Sequence, residues 1–99
     1  MDTQKAQERL AELLLAERGK PGRLWWLSFC DPDKPRGQQF LGVAIVEAPG
    51  PVHAQCSTWA LGINPGGEVM TYQAGDVPVE YRHRLLSRAE LKAAGLIAA

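Results

Sequence analysis

The chain has 99 residues, 45% of them hydrophobic, and 11 basic side chains balance 11 acidic ones for a formal net charge of zero. That size supports one domain with one core, the apolar share excludes a disordered chain, and the neutral balance removes any general attraction to nucleic acid or an anionic membrane. No apolar run approaches the ~20 residues of a membrane-spanning helix, and the two cysteines, Cys30 and Cys56, lack CxxC spacing, so a reducing cytoplasm is the expected compartment.

Asp2 or Thr3 can cap a first helix running to about Arg18, with Gly19 as its stop and Pro21-Gly22 as the break behind it. Ala6, Leu10, Leu13 and Leu14 form its apolar stripe, widened by Leu15, and charged residues fill the other faces. Its opening is charged and helical, unlike the apolar core of a signal peptide. Residues 1–20 are read as a helical extension and 21–99 as a single α+β domain. The extension either covers the domain's own sheet or pairs with the same helix of a second copy.

Leu24 to Cys30 reads as a first strand, with Trp25, Leu27 and Phe29 on one face and Leu24, Trp26, Ser28 and Cys30 on the other. Both faces carry apolar residues, and the first helix is a candidate cover for the second face. A polar loop from Asp31 to Gly37 leads to a second strand, Gln39 to Val46, antiparallel to the first, in which Gly42 marks a bulge or the close approach of another backbone.

Gly50 and Pro51 open a second helix at its cap and first position, with Val52, Cys56, Trp59 and Ala60 as the expected buried stripe. Gly62 stops it, and Asn64-Pro65-Gly66-Gly67 matches a type II turn into a third strand, Glu68 to Tyr72. The strand-helix-strand connection favours a right-handed parallel crossover. Val79 to Leu86 is ambiguous between a helical turn and an extended segment, and Ser87-Arg88-Ala89-Glu90 is a capping box opening a last helix that ends at Gly95. The expected fold class is therefore α+β: a small ββαβ sheet-plus-helix domain with an N-terminal helix and a short C-terminal one.

The turn at Asn64, Pro65, Gly66 and Gly67 exposes backbone N–H groups that suit an anion, although phosphate loops follow a strand and open a helix, the reverse of the order here. Tyr81, Arg82, His83, Arg84 and Arg88 concentrate positive charge around one aromatic, a grouping that suits a phosphate or carboxylate and equally suits a solvated face. His53 and Cys56 share a helix face, but a tetrahedral metal site would need Cys30 and His83 from distant segments. No metal or cofactor is therefore expected. Asp31, Asp33 and Asp76 read as turn residues, and the tryptophans as core, with Trp26 a candidate for partial exposure at an interface. Enzyme activity is the least supported class.

The segments Trp26-Leu27-Ser28-Phe29 with Asp31, Phe40-Leu41-Gly42, Val46-Glu47-Ala48, Leu61-Gly62-Ile63-Asn64-Pro65-Gly66-Gly67-Glu68-Val69 and Tyr81-Arg82 with Arg84-Leu85-Leu86-Ser87 together resemble a family of small uncharacterised proteins of bacteriophages and prophage-bearing bacteria. The likeness runs from about Trp25 to Glu90 and leaves the first helix outside. It implies an accessory protein of the bacterial host cytoplasm and carries no catalytic residue with it. Two functions follow as expectations. One is a non-enzymatic binder of a small anionic, nucleotide-like ligand, possessing a pocket in which Asn64, Gly66 and Gly67 meet Tyr81, Arg82 and Arg84. The other is a homo-oligomeric interaction module, or an inhibitor of a bacterial host protein, working through Trp26, the first helix or an open sheet edge.

Overall fold

Residues 24–30 are mostly aromatic and aliphatic without an internal proline or glycine, and they make up most of the strand around which the sheet is organised, β1 (Arg23–Cys30). In the computed structural model, which describes residues 3–98, β1 pairs with β2 (Phe40–Ala48) on one side and β3 (Glu68–Gln73) on the other. A two-residue β4 (Leu85–Leu86) pairs with β2 and completes the order β3-β1-β2-β4. Every ladder is antiparallel. β3 runs in the same direction as β2, as the intervening helix predicts, but β1 lies between them, so the crossover joins non-adjacent strands. The three helices are α1 (Thr3–Glu17), α2 (Pro51–Ala60) and α3 (Arg88–Ala93), which makes the fold α+β. Thr3 lies within α1, and the alternative cap Asp2 lies outside the described residues.

The local signals act as their chemistry requires. Gly50 is extended and Pro51 opens α2. Gly66 has φ +85°, and the Asn64 side-chain oxygen accepts the Gly66 N–H at 2.8 Å, which tightens the turn into β3. Ser87 and Glu90 form the reciprocal capping box of α3. The ambiguous segment resolves into a 3₁₀ turn, Val79–Tyr81, followed by β4. At Gly42 both expected features occur together: the β1–β2 register shifts between Phe29 and Cys30, and a β-carbon on Gly42 would lie 2.9 Å from the Leu86 carbonyl oxygen.

The sheet buries both faces. On one, Leu27, Phe29, Ala44, Val46 and Ala48 pack with Ala54 of α2. On the other, Val43, Ile45 and Leu86 pack with Val77 and Leu91, and Tyr81, Leu96 and Ile97 close the edge of that cluster. The second cover is thus the chain after β3, and α1 does not supply it.

α2 turns a different face inward from the expected stripe. Its buried residues are Ala54 and Thr58, whereas Cys56 and Ala60 are exposed and Trp59 is 67% exposed. Small residues let the helix axis approach a sheet already filled by Leu27, Phe29 and Val46, and the Thr58 hydroxyl is satisfied within the helix by donating to the Gln55 carbonyl at 2.6 Å. Nor are the other tryptophans full core residues, since Trp25 and Trp26 are each half-buried on opposite faces of β1.

Gly42 has φ +135° as well as the close Leu86 carbonyl, whereas Gly19 has φ +88° with open space around it. Gly42→Ala is expected to cost roughly 2–4 kcal/mol and Gly19→Ala about 1 kcal/mol, the difference being the collision added to the backbone strain. Urea unfolding of the two variants measures that difference, and equal costs would contradict the close approach.

Candidate functional site

Where α1 ends, its last residue is also its buried one: Glu17, which is only 7% exposed. The carboxylate sits on the first turn of α2. Oε2 accepts the Val52 N–H at 2.9 Å, and Oε1 accepts the His53 N–H at 2.9 Å. These donors have no partner inside the helix, and the positive end of the helix dipole favours the negative group placed there. The His53 Nδ1 lies 2.9 Å from the same Oε1. An ionised carboxylate only accepts, so this contact selects the tautomer with the proton on Nδ1.

Gly50 makes the seat possible. A β-carbon at that position would collide with the carboxyl carbon of Glu17. Gly50 has φ −171°, an ordinary extended value, so the reason for glycine is space and not conformation. Burial pushes the Glu17 carboxyl up, but the N–H groups of His53 and Val52, together with the His53 side chain, hold it below the usual carboxylate range.

Beside this clamp a cavity of about 650 Å³ opens between the end of α1, the start of β1 and the start of α2. Leu13, Pro21 and Pro51 form apolar walls around the half-buried Trp25, whose indole N–H donates to the Ala48 carbonyl at 2.9 Å. Lys20 and Arg23 stand at its rim, and Arg23 Nη1 donates to the Gln73 side-chain oxygen at 3.4 Å. Sequence reasoning missed this site because its residues come from four separate segments. The only local hints were the prolines and glycines bordering the strand and helix starts.

The residues expected to bind an anion are placed apart. Asn64, Gly66 and Gly67 lie in the turn entering β3, one outer strand, while Arg82 and Arg84 lie just before β4, the other. The single pocket expected from their combination is therefore not formed. Each group has structural work. The Asn64 side-chain amide donates to the Thr58 hydroxyl at 3.0 Å, and a β-carbon on Gly67 would collide with the Cys30 carbonyl oxygen. Arg82 Nε donates to the Val77 carbonyl at 2.7 Å, Tyr81 packs on the second core, and Arg84 pairs with Glu90 at 3.4 Å. Arg88 lies over the Phe40 ring at 4.9 Å.

His83 takes φ +62°, donates its N–H to the Ile45 carbonyl at 2.7 Å and accepts the Glu47 N–H on Nε2 at 3.3 Å. It thereby extends the β2 edge and is remote in role from His53, which serves the clamp. Among the described residues no three His, Cys, Asp or Glu side chains gather to hold a metal ion, and no helix is long and apolar enough to cross a membrane.

Glu17→Gln is expected to lower stability by about 1–2 kcal/mol, and Gly50→Ala by a similar amount through expulsion of the same carboxylate. The double variant should cost less than the two single costs added together, which a thermal-denaturation cycle reads directly. Because the Glu17 pKa is depressed on folding, this stabilisation is present above the unfolded carboxylate value of about 4.3 and is lost as pH falls through the lower folded value. The wild-type advantage over Glu17→Gln should shrink below that pH. Comparison with models of protein families, with curated proteins and with solved structures finds no match for this chain.

Proposed function

We propose that this protein is a non-enzymatic interaction module that self-associates through α1. The observation that carries the reading is surface left over after folding. The chain exposes 6633 Å², against roughly 5500 Å² for a compact monomer of 10.8 kDa. Its radius of gyration is 14.5 Å, against about 13 Å for a compact chain of this length. The excess of about 1100 Å² is comparable to the ~800 Å² that each partner buries in a standard interface.

α1 carries part of that surplus. The helix is held at its C-terminal end by Glu17, while Leu10 is 43% and Leu15 is 63% exposed. A 15-residue helix is marginal in water unless an apolar face is packed. A second copy offers the same surface and closes the contact by two-fold symmetry. The resemblance to bacteriophage proteins supports a reading of this module as an accessory protein of the bacterial host cytoplasm.

A second reading, grip on a bacterial host protein, is favoured by the β3 edge. β4 is blunted to two residues, but β3 presents six, with Met70 and Tyr72 exposed and charge only at Glu68. The small-anion reading draws its support from the cavity beside Glu17 instead of the turn and tail from which it was expected.

Sedimentation equilibrium of the full chain should return a dimer, and Leu10→Glu/Leu15→Glu should return a monomer whose circular dichroism keeps the strand signal and loses only helical signal from α1. A wild-type monomer throughout the micromolar range would overturn self-association, and a double variant that stays dimeric would move the interface away from α1.

A further inference from the structure

The cavity between α1, β1 and α2 is lined for a ligand that is apolar at one end and anionic at the other. We propose that it binds a small aromatic carboxylate, with the ring over Trp25 and the carboxylate between Lys20 and Arg23. The volume of about 650 Å³ falls within the range of small-molecule sites, roughly 300–1000 Å³.

The aromatic end is specified by Trp25. Its neighbours on the same face of β1, Leu27 and Phe29, are fully covered, but Trp25, beside the start of α2, stays half-buried. Its indole N–H is already engaged by Ala48, so what the ring presents to the cavity is apolar surface. Leu13 and Pro51 stand against that surface as rigid or branched apolar walls, and Pro21 closes the side toward the α1–β1 link. A planar ring completes the cover that α2 leaves unfinished.

The anionic end is specified by charge. The carboxylate that does line the cavity, Glu17, has its oxygens committed to the first turn of α2 and to His53. Lys20 makes no side-chain hydrogen bond or ion pair among the described residues, and Arg23 has only the neutral Gln73 amide as partner. Two cations that make no ion pair among the described residues, at the mouth of an apolar hollow, favour one compact anion, and the Arg23 guanidinium can hold a carboxylate by two parallel hydrogen bonds. This site is separate from the leucines assigned to self-association, so either proposal stands without the other.

The probe is 1-naphthylacetate, titrated into the ¹⁵N-labelled full chain, with the uncharged 1-naphthylacetamide as control. The three indole N–H signals are assigned from Trp26→Phe and Trp59→Phe, which leaves Trp25 by elimination. The expected result is a saturable shift of the Trp25 indole and the Gln73 side-chain amide, with the acetamide about ten-fold weaker. Lys20→Ala/Arg23→Ala alters only exposed side chains, and should weaken the acid to the level of the amide while leaving the rest of the spectrum in place. The proposal is overturned if no signal saturates, if acid and amide bind equally, if the double variant binds the acid as wild type does, or if the shifts fall on the Trp26 and Trp59 indoles instead.

Discussion

A four-stranded sheet with apolar residues on both faces needs two covers, and this chain has little sequence from which to supply them. α2 covers the face bearing Leu27, Phe29 and Val46, and the segment from Val77 to Ile97 covers the face bearing Val43 and Ile45. With both positions taken, α1 has no sheet left to cover. It is held toward its C-terminal end, where Glu17 is buried and Leu13 and Leu14 are half-buried, and that allocation of covers leaves Leu10 and Leu15 exposed, Trp25 half-buried and a hollow beside it.

The contact that keeps α1 in place is electrostatic and local. Glu17 supplies α2 with the acceptor that Gly50, lacking a side chain, does not provide at the cap position. One carboxylate thus does two jobs, satisfying backbone donors of one helix and anchoring the end of another. The dipole of α2 and the N–H groups of Val52 and His53 favour the ionised form, so the junction between the helices depends on a charge. An anchor of this kind orients α1 at its C-terminal end and contributes no apolar burial to its remaining turns.

Close approach explains other positions that composition alone would leave as loops. Gly42 admits the β4 backbone beside β2, and Gly67 admits the end of β1 beside the turn into β3. The Asn64-to-Gly67 turn and the Arg82/Arg84 segment, which looked like two halves of an anion site, hold the two opposite margins of one sheet. Their polar groups are engaged in keeping those margins in place. Among the described residues, Lys20 and Arg23, next to the α1–β1 link, make no ion pair.

What the sequence determined by itself was everything governed by neighbouring residues: the strand at Leu24–Cys30, the Pro51 start of α2, the turn at Asn64–Gly67 and the capping box at Ser87–Glu90, because backbone dihedrals and short-range hydrogen bonds set these. It also determined which residues of β1 share a face. Tertiary structure alone decided which side of α2 turns inward, since Ala54 and Thr58 prevail over Trp59 only once a bulky sheet surface limits how near a helix can come. It alone decided that the chain after β3, and not α1, closes the second face, and that Glu17 meets residues 35 and 36 positions away. The cavity belongs to the same category: its walls come from four segments, and no sequence spacing encodes the distance between surfaces that meet only after the sheet has chosen its covers.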